Sequence, residues 1–163
     1  MELMTVIAII VILIAMLLPL FGRFRAGAQK AACINNLKSL YVAANAYTQD
    51  QGHWPQVSTK LFGTPAFAEG WYDALSRYQI ARINWICPTI QGDLGNPDIS
   101  KPGAMRIDYI ATPFGSDSRD AYKYPTQPWF VERGDVHGDG NMVIFTSGQI
   151  LSLSQIRLMR PAQ

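Results

Sequence analysis

Basic residues are missing from the start of this chain: in a sequence of 163 residues no Lys or Arg precedes Arg23. Histidine and cysteine are scarce too, with two of each. His53 and His137 stand in no Ser or Cys context that suggests a nucleophile–base pair, and no acid/base set converges, so no enzyme is expected. Cys33 and Cys87 allow a single pairing and no metal framework. Charged side chains make up only 16%, the net charge is +2, and no block of Lys or Arg is long enough to track phosphates. No nucleic-acid partner is therefore expected. Internal repeats and low-complexity tracts are absent as well.

What the chain does have is an apolar run from Leu3 to Phe21, broken only by Thr5 and preceded directly by Glu2. As a helix rising 1.5 Å per residue, such a run is long enough to cross a hydrocarbon core of roughly 30 Å. It is too long for the apolar region of a cleavable secretory signal. Pro19-Leu20-Phe21-Gly22-Arg23 is also the wrong chemistry for a cleavage site. A membrane-spanning helix is expected, and a carboxylate at its lip is costly unless something neutralises it. Arg23, Arg25 and Lys30 all follow the run, so the positive-inside tendency alone would hold the remainder in the cytoplasm.

Helical spacing continues beyond the run. Cys33, Leu37, Leu40, Tyr41, Ala44 and Tyr47 form one apolar face, with Lys38, Asn45 and Gln49 between them. Pro19 is expected to bend the rod, and Gly52 with Pro55 to end it near Gln51. The chain thus divides into a membrane and assembly half-helix (1–24), an amphipathic half (25–51) and a globular head (52–163). In the head, a short helix is predicted over Ala68–Tyr78. Strands are predicted over Ile83–Ile86, Ile107–Ala111, Asn141–Thr146 and Gln149–Leu153, the last two joined as a hairpin by Ser147-Gly148. Proline-rich loops fill Gly92–Pro102 and Pro113–Pro128. The fold class is α+β: a long N-terminal helix packed against a small, loop-rich antiparallel sheet.

Glu2-Leu3-Met4-Thr5-Val6-Ile7-Ala8-Ile9-Ile10 resembles the start of a mature type IV pilin or type II secretion pseudopilin. Cys33-Ile34-Asn35-Asn36-Leu37-Lys38, Tyr47 and Trp85-Ile86-Cys87-Pro88 are similar to a pseudopilin-like bacterial subfamily that ends in a histidine, nine residues and Asp-Gly. Here His137 is followed by nine residues and Ser147-Gly148. Asn141, Phe145 and Gly148 fit the signature, and Ser147 replaces its acid.

The resemblance implies a pilin-like fold and a structural subunit that polymerises through its hydrophobic helix. The assembly residues would be Glu2, paired with a neighbour's terminal ammonium, and Pro19. It implies a basic leader upstream, cut after a glycine by a prepilin peptidase, with Met1 a misread start. That leader would hold the N-terminus in the cytoplasm and place the head in the periplasm or outside, on a single-pass inner-membrane protein. Partners would be identical or related pilin-like subunits, the inner-membrane assembly platform and the prepilin peptidase.

Three further readings concern chemistry. In an oxidising compartment Cys33 and Cys87 can pair, with buried free thiols as the alternative. Asp135-Val136-His137-Gly138-Asp139-Gly140-Asn141 echoes a calcium loop, and some pseudopilins bind calcium near such loops. His137, however, replaces an oxygen ligand, and Thr146 stands where a bidentate Glu belongs. A polar turn fixed by His137 is the favoured account, no cofactor is expected, and Asp135, Asp139 and Asn141 are the calcium candidates. Finally, four Trp and seven Tyr could make a sugar-binding platform. The alternative function is thus a membrane-anchored extracytoplasmic module for a ligand or carbohydrate, without a filament.

Overall fold

The computed structural model describes residues 2–95, 97–101 and 103–159. The side chains of Glu2 and Pro19, to which the assembly roles fall, lie outside what it describes, as do those of Leu20 and Ser118. One helix, α1 (Glu2–Gln51), takes up the first 50 described positions and runs through Pro19 without a break in helical assignment. It ends where Gly52 adopts φ +73° and donates its N–H to the Thr48 carbonyl at 3.0 Å. A glycine takes that left-handed conformation without a Cβ clash.

The two halves of α1 meet different surroundings. Every described residue from Leu3 to Ala28 is exposed, whereas Cys33, Leu37, Leu40, Ala43 and Ala44 are buried in the head. These spacings of three and four set one helix face against the core. Asn36, on the same face, donates Nδ2 to the Ile86 carbonyl at 3.0 Å, while Tyr41 donates its hydroxyl to the Thr146 carbonyl at 2.9 Å. Packing and polar anchors therefore fix both rotation and height of the helix on the head.

Four short strands make an antiparallel meander: β1 (Tyr109–Ala111), β2 (Pro128–Glu132), β3 (Met142–Phe145) and β4 (Ile150–Ser152), in that spatial order. Ile110 faces Val131, Phe130 faces Ile144 and Val143 faces Leu151 across the ladders. β2 lies at the end of a segment expected to be loop. Its Pro128 opens the strand, where a missing N–H is tolerated, and Trp129 and Phe130 are wholly buried behind it. Helix α2 (Pro65–Leu75) starts earlier than expected because Thr64 caps it, its Oγ1 accepting from Phe67 N–H with Pro65 at the first position. A 3-10 turn then covers Ser76–Tyr78. Of the shorter helices, α4 (Ser118–Tyr122) falls within the predicted loop, α3 (Pro88–Leu94) runs into the one that begins at Gly92, and α5 (Leu153–Met159) starts where the last predicted strand ends.

The expected strand at Ile83–Ile86 is instead a 3-10 turn, Arg82–Trp85. Asn84 is the reason: its Oδ1 accepts from Ala81 N–H at 3.0 Å, a local bond that competes with extended backbone. Trp85 and Ile86 still enter the core, leaving Ile83 half exposed. The β3–β4 connection is also one residue longer than expected. Gly148 N–H bonds the Phe145 carbonyl at 2.8 Å and Phe145 N–H bonds the Gln149 carbonyl at 3.0 Å, enclosing Thr146-Ser147-Gly148. Such three-residue loops place a left-handed residue last.

Gly148, at φ +76°, fills that place, and an added Cβ would come 3.5 Å from the Tyr41 ring. A β-branched residue is strained in this conformation. Gly148→Val is expected to lower stability by about 1–2 kcal/mol. Thermal melts of the full chain in detergent, read by near-UV circular dichroism, check this. An unchanged midpoint would show that the turn tolerates a side chain.

Candidate functional site

Two features stand out from the fold. The first is the free half of α1. It is the one described helix long and apolar enough to cross a membrane, and no part of its most apolar window is buried. Ile7, Ile10, Ile14 and Leu17 are each about half exposed, and so are Val6, Ile9, Val11 and Leu13 on the other sides. A helix apolar all round, left uncovered by the other described residues, is matched to lipid or to other helices.

The second lies where α1 enters the head. Cys33 on α1 and Cys87, just before α3, are joined as a disulfide with Cα atoms 5.4 Å apart. Both are wholly buried. The sequence segments around them hold this junction: Asn36 grips the Ile86 carbonyl, and Cys87 N–H donates to Asp108 Oδ2 at 3.0 Å. Asp108 is itself buried and held by Arg106 through Nε at 2.8 Å and Nη2 at 3.1 Å.

His137 and Glu132 close over the sulfurs. Nε2 of His137 lies 3.1 Å from Oε1 of Glu132 and 4.0 Å from Sγ of Cys87. Their side chains are only 4% and 0% exposed, so neither is a surface group. Burial pushes the Glu132 carboxyl up to about 7, opposed by the nearby Met142 amide and reinforced by the charge of Asp108. Burial also pushes the His137 imidazole down from its ordinary value, and the Lys30 ammonium adds to that effect. Both shifts favour the uncharged pair, a carboxylic acid hydrogen-bonded to a neutral imidazole. The second carboxyl oxygen, Oε2, is buried without a hydrogen bond of normal geometry.

His137, expected to fix the polar turn by a hydrogen bond, bonds back to Glu132 across the start of that turn and lies beside the Cys87 sulfur. That turn is held by Asp135 Oδ1, which accepts from Gly140 N–H at 2.9 Å, and by Asn141 Nδ2, which donates to the Glu132 carbonyl at 2.8 Å. Asp139 pairs with Lys30 on α1, which holds its carboxyl below the ordinary value. Among the calcium candidates, Asp135 Oδ1 and Asn141 Nδ2 thus bond backbone groups, and Asp139 Oδ2 pairs with Lys30. Phe145 ends β3, and Gly148 closes the hairpin.

Glu132 was not singled out in the sequence. The available signal was an acid closing the apolar string Trp129-Phe130-Val131, which becomes a strand buried on both faces. The four tryptophans are all buried in the core and offer no face to a sugar. A separate cavity of about 510 Å³ opens between Phe62, Phe67, Met105 and Ile110, with Arg106 and Arg133 at its wall.

Compared with known protein families, curated proteins and solved structures, the chain matches none.

Proposed function

We propose that this chain is a structural subunit of a pilus or pseudopilus, in a type IV pilus-like or type II secretion system. It polymerises through its N-terminal helix with identical or related pilin-like subunits. The observation that carries this reading is the asymmetry of α1: its described side chains from Leu3 to Phe21 are exposed and apolar but for Thr5, while one face from Cys33 to Ala44 is locked into the core. A membrane anchor alone needs the first property. A long helix rigidly continuous with its head also transmits the position of each membrane half to the head it carries, as a helically packed filament requires. The resemblance of Glu2–Ile10 to a mature pilin start supports the same reading.

In this reading the subunit waits as a single-pass protein of a bacterial inner membrane, with its head outside the cytoplasm. It is processed by a prepilin peptidase and drawn into the filament by an inner-membrane platform. Glu2 borders the apolar run and neutralises the terminal ammonium of a neighbour, each charge offsetting the other's desolvation. For the alternative of an anchored sugar-binding module, Trp54, Trp71, Trp85 and Trp129 serve the core, which leaves the exposed Tyr122 and Tyr124 as its aromatic surface.

The test is Glu2→Ala in the processed protein. The expected outcome is unchanged membrane retention, since the apolar run is intact, with filament number reduced at least tenfold. Membrane fractionation beside filament counts by electron microscopy separates the two effects. Normal filaments in the variant would remove the acid from assembly.

A further inference from the structure

Four ligand-type side chains from distant parts of the chain meet under α1. One ligand atom from each of Cys33, Cys87, Glu132 and His137 (the two sulfurs, a carboxylate oxygen and an imidazole nitrogen) lies within 4.8 Å of the others. We propose that, once the Cys33–Cys87 bond is reduced, these four atoms form a tetrahedral site for a zinc-class divalent ion. The same cysteines would then carry either a disulfide or a metal.

The geometry is close to what such an ion needs. Bonds of about 2.0–2.3 Å in a tetrahedron space the ligand atoms roughly 3.3–3.8 Å apart. Nε2 already sits 3.1 Å from Oε1 and 4.0 Å from the Cys87 sulfur. Reduction frees the sulfurs to move apart, and a Cα separation of 5.4 Å leaves room for an ion between them. Each ligand rests on an anchored backbone: α1 for Cys33, the Asn36- and Asp108-held segment for Cys87, β2 for Glu132, and the Asp135-held turn for His137. The buried Oε2 of Glu132 has no hydrogen bond of normal geometry, with the Met142 amide nearby.

Two thiolates, an imidazole and a carboxylate select zinc or cobalt over calcium or magnesium, which take all-oxygen sets. Access is also present. A cavity of about 220 Å³ reaches His137 between Ala26, Gly27 and Lys30 of α1 and Thr89 and Val136 of the head. A dication with two thiolates and one carboxylate leaves one negative charge, and the Lys30 ammonium at the cavity wall faces it.

The chemistry balances with a named reductant. A trialkylphosphine gives two electrons to the disulfide and takes the oxygen of one water as phosphine oxide, while the water's two protons go to the sulfurs. Binding the dication then releases those two thiol protons and the carboxyl proton of Glu132. Glu132 binds as carboxylate and His137 as neutral imidazole, so no oxidation state changes at the metal.

The experiment uses the full chain in detergent micelles under argon, with cobalt(II) as the spectroscopic probe. The expected result is one cobalt per chain, with tetrahedral visible bands and a thiolate charge-transfer band, in the phosphine-reduced protein and not in the disulfide form. Glu132→Gln and His137→Ala should each weaken cobalt binding at least tenfold, while Asp73→Asn, at an exposed position of α2, leaves it unchanged. Each variant is first matched to the parent by near-UV circular dichroism in its disulfide form, and His137→Gln replaces His137→Ala if the latter fails. Should the reduced parent lose its near-UV signal, recovery on adding zinc supports the site and no recovery overturns it. Absence of stoichiometric cobalt in a folded reduced chain also overturns it, as does an affinity indifferent to Glu132 and His137.

Discussion

Replacing both Cys33 and Cys87 with alanine is expected to lower the thermal midpoint of the full chain by on the order of 10–20 °C. The bond joins residues separated by 54 positions, and closing a loop of that length removes about 4 kcal/mol of unfolded-state entropy. The location adds to the effect, because the bond ties α1 to the start of α3 through two wholly buried residues. Without it, the helix is held on the head by Leu37, Leu40 and Ala44, and by the Asn36 and Tyr41 hydrogen bonds. Those contacts should keep the fold recognisable, so the alanine chain is expected to melt cooperatively at the lower temperature. Melts of the oxidised parent, the parent after reduction in chelator, and the double variant provide the measurement. A double variant melting within two or three degrees of the oxidised parent would mean that packing alone secures the helix.

How much of this was legible in advance follows from the range over which each interaction acts. The extent of α1 is local information: a 3.6-residue rhythm, then Gly52 and Pro55, and the helix ends at Gln51. The β3–β4 hairpin is nearly local too, though its loop takes in Thr146 as well as Ser147-Gly148. β2 was hidden because a strand buried on both faces shows no alternation, and Pro128 and the prolines before it read as loop. Ile83–Ile86 misled for the opposite reason. A short apolar run does not declare its backbone state, and one Asn side chain turned it.

The buried quartet was least legible of all. Its members sit at positions 33, 87, 132 and 137, brought together by α1, the segment before α3, β2 and the turn after it. The two cysteines could be paired in principle from the sequence, but at position 132 the one sign of a buried carboxyl is the apolar string it closes. His137 drew attention through the signature spacing and the calcium-like loop, and its partner in the structure is Glu132, five residues back in the chain. An acid completing an apolar strand is the clue to carry forward, since a carboxyl that follows Trp129-Phe130-Val131 inward must find a partner there.

The second large effect is expected at Trp54, on which the aromatic core converges. Its ring lies 4.8 Å from that of Trp129, 5.1 Å from Phe114, 6.0 Å from Phe130 and 6.2 Å from Trp71. All these are spacings at which rings attract edge to face or tilted. Trp54→Ala removes one partner from four contacts and leaves a cavity under the end of α1, which should cost about 3–5 kcal/mol. The internal comparison is with phenylalanine. Trp54 Nε1 is buried without an acceptor, whereas Trp129 Nε1 donates to the Ala121 carbonyl at 2.7 Å. Both Trp→Phe changes lose similar volume, but only Trp129→Phe breaks a hydrogen bond. Trp129→Phe is therefore expected to be the more destabilising of the two by about 1 kcal/mol. Denaturant titrations of the three variants in the oxidised full chain give the numbers. Equal losses for the two phenylalanine variants would mean that the Ala121 bond contributes nothing, and a Trp54→Ala loss below about 1 kcal/mol would mean that the core closes over the gap.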